Sequence, residues 1–240
     1  MKDANVYYVG GSKGGVGKSL FSFVLVDYLL ERGRNVLLVD TDTDNPDVFK
    51  AHKGLVIPNL KCVLNSLDDA DGWADLFDTV QSYPEHAVVI NAAARTKTST
   101  ASHGEIMKAA LAEMKRELNV FWIINRHRDS VELLHTFMES FPDTVIHVCR
   151  NLYFGEAEKF ELYNSSNARA VIERRGKSLN FPAVANRVAD ALYSKRLPIQ
   201  IAYCQLPIGS KAELQRWRRV CVEMLDSVIW NEETKDDADA

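Results

Sequence analysis

The stretch Gly10–Gly11–Ser12–Lys13–Gly14–Gly15–Val16–Gly17–Lys18–Ser19 decides how this chain is read. It follows an apolar run, Val6–Val9, and leads into a stretch at 17–32 that ends on Gly33 and is predicted to be helical. A strand that feeds a Gly-rich loop into a helix is a phosphate cradle. The glycines let the backbone turn tightly enough to bring its N–H groups against phosphate oxygens, and the helix start adds its positive end. Lys18 is placed to reach β- and γ-phosphates and the Ser19 hydroxyl to ligate Mg²⁺, so a nucleoside phosphate with Mg²⁺ is the expected ligand. The strict pattern G-x-x-x-x-G-K-[ST] is not met, because Ser12 stands in its first glycine position. The competing reading is a plain Gly-rich turn, and the strand–loop–helix context argues against it.

Outward from the loop, short apolar runs alternate with amphipathic stretches, the pattern of a parallel sheet between helices. Strands are predicted at Val6–Val9, Val36–Val39, Ala87–Ile90, Val120–Ile124, Thr144–Cys149 and Ser178–Phe181, nearly all apolar as strands covered on both faces should be. Helices are predicted at 17–32, about 67–82, about 104–118, about 130–140, 166–175 closed by Gly176, and about 210–229, with another before Lys195. The fold class expected is α/β: a doubly wound, mostly parallel sheet with helices on both faces, of the P-loop NTPase kind. With 240 residues and no repeat, residues 1–230 read as one P-loop domain and 231–240 as an acidic, disordered tail. The segment Ala92–Gly104, rich in Ala, Ser and Thr, reads as mobile.

Composition narrows the class further. The chain is 46% apolar and 26% charged, ordinary for a globular protein. No apolar run nears the roughly 18–20 residues that cross a bilayer, and the N-terminus lacks the form of a secretory signal, which points to the cytoplasm. The four cysteines are far apart and read as buried thiols, without zinc spacing. The net charge of −4 belongs to the last ten residues, which hold five acids and one Lys, so residues 1–230 sum to zero. The chain is not a globally basic nucleic-acid binder, and any such surface is a local patch.

The loop Lys13–Gly14–Gly15–Val16–Gly17–Lys18–Ser19 resembles the deviant Walker A motif of the ParA/MinD family of P-loop ATPases. The segments Asp40–Asp47 and Val148–Gly155 resemble most the conjugative-plasmid branch containing TraL and StbB proteins. The likeness implies an ATP-dependent homodimer in which Lys13 reaches the nucleotide of the partner subunit. It also implies that the loop from Ser12 through Ser19, with Leu20, contacts nucleotide, and that Lys13 and Lys18 act on the phosphates. In the run Asp40–Thr41–Asp42–Thr43–Asp44–Asn45–Pro46–Asp47, the family's D-x-D pattern implies that Asp40 holds the metal's water shell and Asp42 positions the attacking water. An acidic turn ending a strand is the alternative. Thr43 and Asp44 depart from the family's Pro and Gln.

After Val88–Val89–Ile90 the family has a metal-shell Asp, and this chain has Asn91. An amide lacks the charge that makes carboxylate–Mg²⁺ contacts strong, so with Ser19, Asp40 and Asn91 around the metal, hydrolysis is expected to be slow. Ala92–Ala93–Ala94–Arg95 also lacks the Gly or Pro with which the family senses the γ-phosphate. For the base, Asn151 after the fifth predicted strand can donate and accept hydrogen bonds, and Pro182 after the sixth can pack on the ring; an Asn capping a turn is the alternative for Asn151.

Arg216, Arg218 and Arg219 surround Trp217, a cluster that could hold non-specific DNA; the alternative is a solvated face with Arg219–Glu223 paired and Trp217 in the core. The acidic end of the chain argues against stable membrane association. The function expected is a slowly hydrolysing ATP-dependent dimerisation switch in plasmid partition or positioning, or in conjugative DNA transfer, working with a partner protein. A non-hydrolysing ATP sensor and a metabolic P-loop enzyme are the rival readings.

Overall fold

The computed structural model describes residues 4–11, 14–93 and 97–229. Seven strands form one sheet: β1 (Val6–Gly11), β2 (Val36–Asp40), β3 (Leu60–Leu64), β4 (Ala87–Asn91), β5 (Leu118–Ile124), β6 (Val145–Asn151) and β7 (Ser178–Phe181). Their order is β3-β2-β4-β1-β5-β6-β7, and every neighbouring pair is parallel. β1 lies centrally; the chain first winds to one side of it and then to the other. The carboxyl ends of β2, β4, β1, β5 and β6 therefore open on one rim, where ligands of such sheets bind. The α/β class and the doubly wound architecture are those expected, and the sheet, expected to be mostly parallel, is parallel throughout.

The helices are α1 (Lys18–Glu31), α2 (Asp47–His52), α3 (Ala70–Gln81), α4 (Lys97–Met114), α5 (Arg128–Ser140), α6 (Glu161–Asn164), α7 (Asn167–Ile172), α8 (Asn186–Ser194), α9 (Ile199–Gln205) and α10 (Ile208–Asp226). Alternation along β1 splits the core in two. Tyr7 and Val9 face α1, α8, α9 and α10, while Val6 and Tyr8 face α3, α4 and α5. α1 is covered almost all round: every residue from Leu20 to Leu29 is buried, including the polar Ser22 and Asp27. The helix that follows the phosphate loop is thus fixed deep in the molecule.

Several expectations need correction. β3 and α2 were not foreseen, because an edge strand half open to solvent carries Lys61 and Cys62 instead of a continuous apolar run, and six helical residues are too few to show a period. α4 begins at Lys97 instead of about 104, so much of the segment read as mobile is helical; Ala94 and Arg95 lie outside the described residues. The helix expected at 166–175 ends at Ile172. Gly176 closes it by donating its N–H to the Ile172 carbonyl (2.8 Å), and a Cβ there would stand 1.9 Å from the Ile146 carbonyl oxygen of β6. Of the four thiols expected to be buried, Cys149 and Cys221 are, whereas Cys62 is partly covered and Cys204 is exposed. The acidic tail lies outside the described residues.

Candidate nucleotide site

The loop and α1 build an anion site from backbone alone. Gly15 has φ 77° and Gly17 φ 108°, left-handed conformations that favour glycine. A Cβ on Gly17 would also lie 2.5 Å from the Asn151 side-chain nitrogen. Gly17 is the N-cap of α1, yet no side chain caps the helix and its first turn holds no acid. With a glycine cap and no acid in the first turn, the positive dipole end of α1 is turned toward the loop, an arrangement that suits an external anion. Lys18 is buried to 8% exposure in that first turn and Ser19 is half-buried beside it. Ser12 and Lys13 lie outside the described residues.

A cleft of about 430 Å³ continues from the loop. It is lined by Gly15, Gly17 and Leu20 of the loop and α1, by Asn151 and Tyr153 after β6, by Pro182–Val184 after β7, and by α8. Gly15, Gly17, Leu20, Asn151 and Pro182, all expected to touch nucleotide, therefore share one cavity. Val16 is buried and Gly14 exposed. The residues present fit a nucleoside phosphate, with a backbone cradle for the phosphates and a largely apolar trough beyond it for the nucleoside. Asn151 has a task of its own there. Its Nδ2 donates to the Val16 carbonyl (2.8 Å) and its Oδ1 accepts from the Tyr153 N–H (3.1 Å), so it clamps the phosphate loop onto β6. Pro182 is positioned by the core, because its carbonyl accepts from the Trp217 indole N–H at 2.7 Å.

The acidic side of the site is a closed hydrogen-bond network. Asp40 and Asn91 stand opposite each other in the β2–β4 register, with 0% and 2% exposure. The Asn91 amide donates to Asp40 Oδ1 (2.9 Å) and its oxygen accepts from the Ser22 hydroxyl of α1 (3.0 Å). Asp40 Oδ1 also accepts from Asp42 N–H at 3.3 Å and Oδ2 from Phe49 N–H at 3.0 Å, which holds the turn into α2. Burial pushes the Asp40 carboxyl above its ordinary value, against the hydrogen bonds of Phe49, Asn91 and Asp42. Asp42 is half-buried and accepts from Asn45 N–H (3.0 Å). Among the described residues no group of three or more His, Cys, Asp or Glu could hold a metal ion. A Mg²⁺ ion at this rim would draw on the Ser19 hydroxyl, with the Asp40 and Asn91 oxygens as the further candidates.

Sequence reasoning missed Ser22 and Thr41. Thr41 ties β2 to β4: its hydroxyl donates to the Asn91 carbonyl (3.1 Å) and accepts from Ala93 N–H (2.9 Å). The turn after β2 is thus held by hydrogen bonds at Asp40, Thr41 and Asp42.

The expected arginine patch is not formed as a free surface. Arg218 is half-buried and forks onto Asp27 and Glu31 of α1. Arg216 makes two 2.8 Å hydrogen bonds to Glu213. Trp217 is fully buried. Arg219 is exposed and makes no ion pair among the described residues. Two of the three charges therefore have carboxylate partners within the fold, and of these only the Arg216 pair lies on the open surface. No helix among the described residues is long and apolar enough to cross a membrane.

Comparison with known proteins agrees with this geometry. Residues 7–162 match the model of the CobQ/CobB/MinD/ParA nucleotide binding domain. The protein MobD of Acidithiobacillus ferrooxidans is 50% identical over 226 residues, spanning 94% of this chain and 98% of its own length. The protein TraL of Escherichia coli is 24% identical over 241 residues, spanning 93% and 98%. Among solved structures, one described as a plasmid partition protein of Borrelia burgdorferi B31 bound to AMPPNP superposes with a TM-score of 0.57 at 14% identity. That likeness covers 95% of this chain and all of the other.

Proposed function

We propose a function from one premise: the chain belongs to the CobQ/CobB/MinD/ParA nucleotide-binding family. It binds ATP with Mg²⁺, hydrolyses it slowly, and uses the ATP state to pair two copies that engage a partner protein in plasmid partition or conjugative transfer. The observation that carries this reading is the start of α1, capped by Gly17 and free of acids in its first turn, opening onto the 430 Å³ cleft. The loop N–H groups and Lys18 hold the phosphates, Ser19 offers its hydroxyl to Mg²⁺, and Asp42, at the mouth of β2, orients the attacking water. The metal's part is to neutralise phosphate charge. Lys13 reaches across to the second copy's nucleotide, which makes pairing conditional on ATP. The names MobD and TraL borne by relatives, and the partition role printed for the Borrelia protein, support the cellular setting.

A second reading, an ATP sensor that barely hydrolyses, is favoured by one observation. Where the family pattern has a second carboxylate, Asn91 is locked between Asp40 and Ser22. The two readings share their first step and differ in turnover. Titration of ATP–Mg²⁺ into wild type and Lys18→Ala should show at least a hundredfold loss; equal affinities would sink both. Light scattering should show dimers with ATP and monomers with ADP, and Lys13→Ala should stay monomeric with either. Phosphate release under saturating ATP separates the switch from the sensor.

A further inference from the structure

The sheet ends in an open edge at β3. In a parallel ladder, alternate residues of a strand send both main-chain groups to the same neighbour. The Val36 N–H donates to the Asn59 carbonyl at one end of the β2–β3 ladder (2.8 Å), and the Asn65 N–H to the Asp40 carbonyl at the other (3.1 Å). With Val36 opposite Leu60 and Asp40 opposite Leu64, residues 59, 61, 63 and 65 face β2, whereas Cys62 and Leu64 turn their N–H and C=O groups outward. Among the described residues no main-chain group bonds those outward groups; only the Leu60 N–H is taken, by the Ile57 carbonyl at 3.1 Å. What remains is a row of donors and acceptors spaced for another strand. Beside it lies a hollow of about 390 Å³, lined among others by Phe49, Lys53, Leu55, Leu60, Lys61 and Cys62, none of which lines the nucleotide cleft. Val56, next to it in the chain, is 97% exposed, and Leu55 and Leu64 are exposed too. The charge here has one sign. From Val48 to Leu67 the chain holds Lys50, Lys53 and Lys61 and no Asp or Glu. All three lysines are exposed and make no ion pair among the described residues. The acids that bound the stretch are engaged locally, Asp47 with Arg196 and Asp68 with the Ser66 hydroxyl.

We propose that β3 is a docking edge for an extended, acidic segment of a partner protein, which joins the sheet as a further strand, sets alternate apolar side chains into the hollow and brings Asp or Glu to Lys53 and Lys61. In strand addition of this kind, main-chain pairing supplies affinity and the pockets for alternate side chains supply selectivity. Two other occupants fit less well. A second copy pairing antiparallel about Cys62 would set each Lys61 diagonal to its equivalent on the same face, a repulsive arrangement that edge lysines use against self-pairing. The acidic end of this chain, Asn231–Ala240, has the right sign but no apolar residue other than alanine to fill the hollow. The docking edge contains none of the groups assigned to ATP, so the two sites stand or fall separately.

The test uses the full chain and a short fluorescent peptide that alternates valine with threonine between aspartate-rich ends, with a lysine-ended peptide of the same core as control. Anisotropy titration should show the aspartate-ended peptide binding wild type at least about tenfold more tightly than the other, a preference that weakens as salt rises. Lys53→Glu with Lys61→Glu should reverse the order of the two peptides, and both lysines are exposed, so folding is not at risk. Bound peptide should slow amide exchange at Cys62 and Leu64, whose N–H groups face outward. Leu64→Pro removes one of those donors without touching the β2 ladder, as proline on an edge strand can, and should cost the aspartate-ended peptide about tenfold or more. No binding of either peptide, equal binding of both, or exchange at Cys62 and Leu64 unmoved by bound peptide would overturn the docking edge. Self-association of wild type without nucleotide or peptide, abolished by Leu64→Pro, would overturn it too and give the edge to a second copy. None of these results bears on ATP, which the Lys18→Ala titration tests on its own.

Discussion

Asn91→Asp restores the carboxylate of the family pattern, and the structure predicts that it destabilises the free protein. The Asn91 nitrogen lies 2.9 Å from Asp40 Oδ1, with both residues shut off from solvent. Replacing that N–H donor with a second carboxylate turns an attraction into a repulsion at the same distance. Two unit charges about 3 Å apart repel by about 5 kcal/mol at an effective dielectric near 20. The pair can shed part of that by holding one proton between its two carboxyls, at the cost of raised proton affinity. A net loss of about 3 kcal/mol at pH 8 is the expected outcome, similar to stranding one member of a buried pair. The pH dependence has a definite sign. Asp40 is already raised by burial, and the new neighbour raises the pair further. A carboxyl raised in the folded state contributes stability that is present below its unfolded pKa and lost as pH rises through the folded one. The deficit of the variant should therefore shrink from pH 8 toward pH 5. Urea midpoints of wild type, Asn91→Asp and Asn91→Ala across that range measure it. Asn91→Ala, which removes the amide without adding charge, should show a smaller deficit with little pH dependence. If Asn91→Asp unfolds at the wild-type midpoint at pH 8, or if its deficit grows as pH falls, the account of Asn91 as the neutral partner of Asp40 is wrong.

Other perturbations test other joints. Arg218→Ala leaves Asp27, at 5% exposure, without its guanidinium. Thermal or urea unfolding should show a loss of about 3 kcal/mol, while Arg219→Ala, on the exposed side of the same helix, should stay within about 0.5 kcal/mol of wild type. Gly17→Ala meets both a φ of 108° and the Asn151 amide 2.5 Å from the new Cβ. It should lose about 2 kcal/mol of stability by the cost of a left-handed non-glycine residue, and calorimetric titration should find ATP affinity reduced because the loop shifts. Asp42→Ala should cut phosphate release at least tenfold while leaving the ATP dissociation constant within threefold of wild type; wild-type turnover in this variant would end its assignment to the attacking water.

How much of this was legible in the sequence depends on how local its cause was. The phosphate loop is written in consecutive residues whose task is set by backbone conformation and by the helix that follows, so Gly15, Gly17 and Lys18 could be read directly. The apolar strands were legible because both faces of a central parallel strand must be buried, and Val36–Asp40 or Ala87–Asn91 has no other environment to suit. β3 escaped for the converse reason: at the sheet edge only part of each residue is covered, and Lys61 there is compatible with a loop. The candidate site shows the same division. Asn91 could be noticed as an amide in a carboxylate's place, but what makes the amide fitting is Ser22, 69 positions away in sequence, together with Asp40 at a distance of 51. No periodicity or spacing encodes that triangle; it exists only once β1 has set α1 and β4 side by side. The arginines of α10 fail in the same way. Arg216, Arg218 and Arg219 read as one patch because they are neighbours in the chain, yet a helix turns about 100° per residue and sends them to different surroundings. Arg218 meets Asp27 and Glu31, which are themselves one turn apart on α1, and those five N–H donors suit a two-carboxylate grip better than a loose phosphate contact. The charge that looked available for a partner is holding the last helix onto the helix whose first turn forms the phosphate cradle.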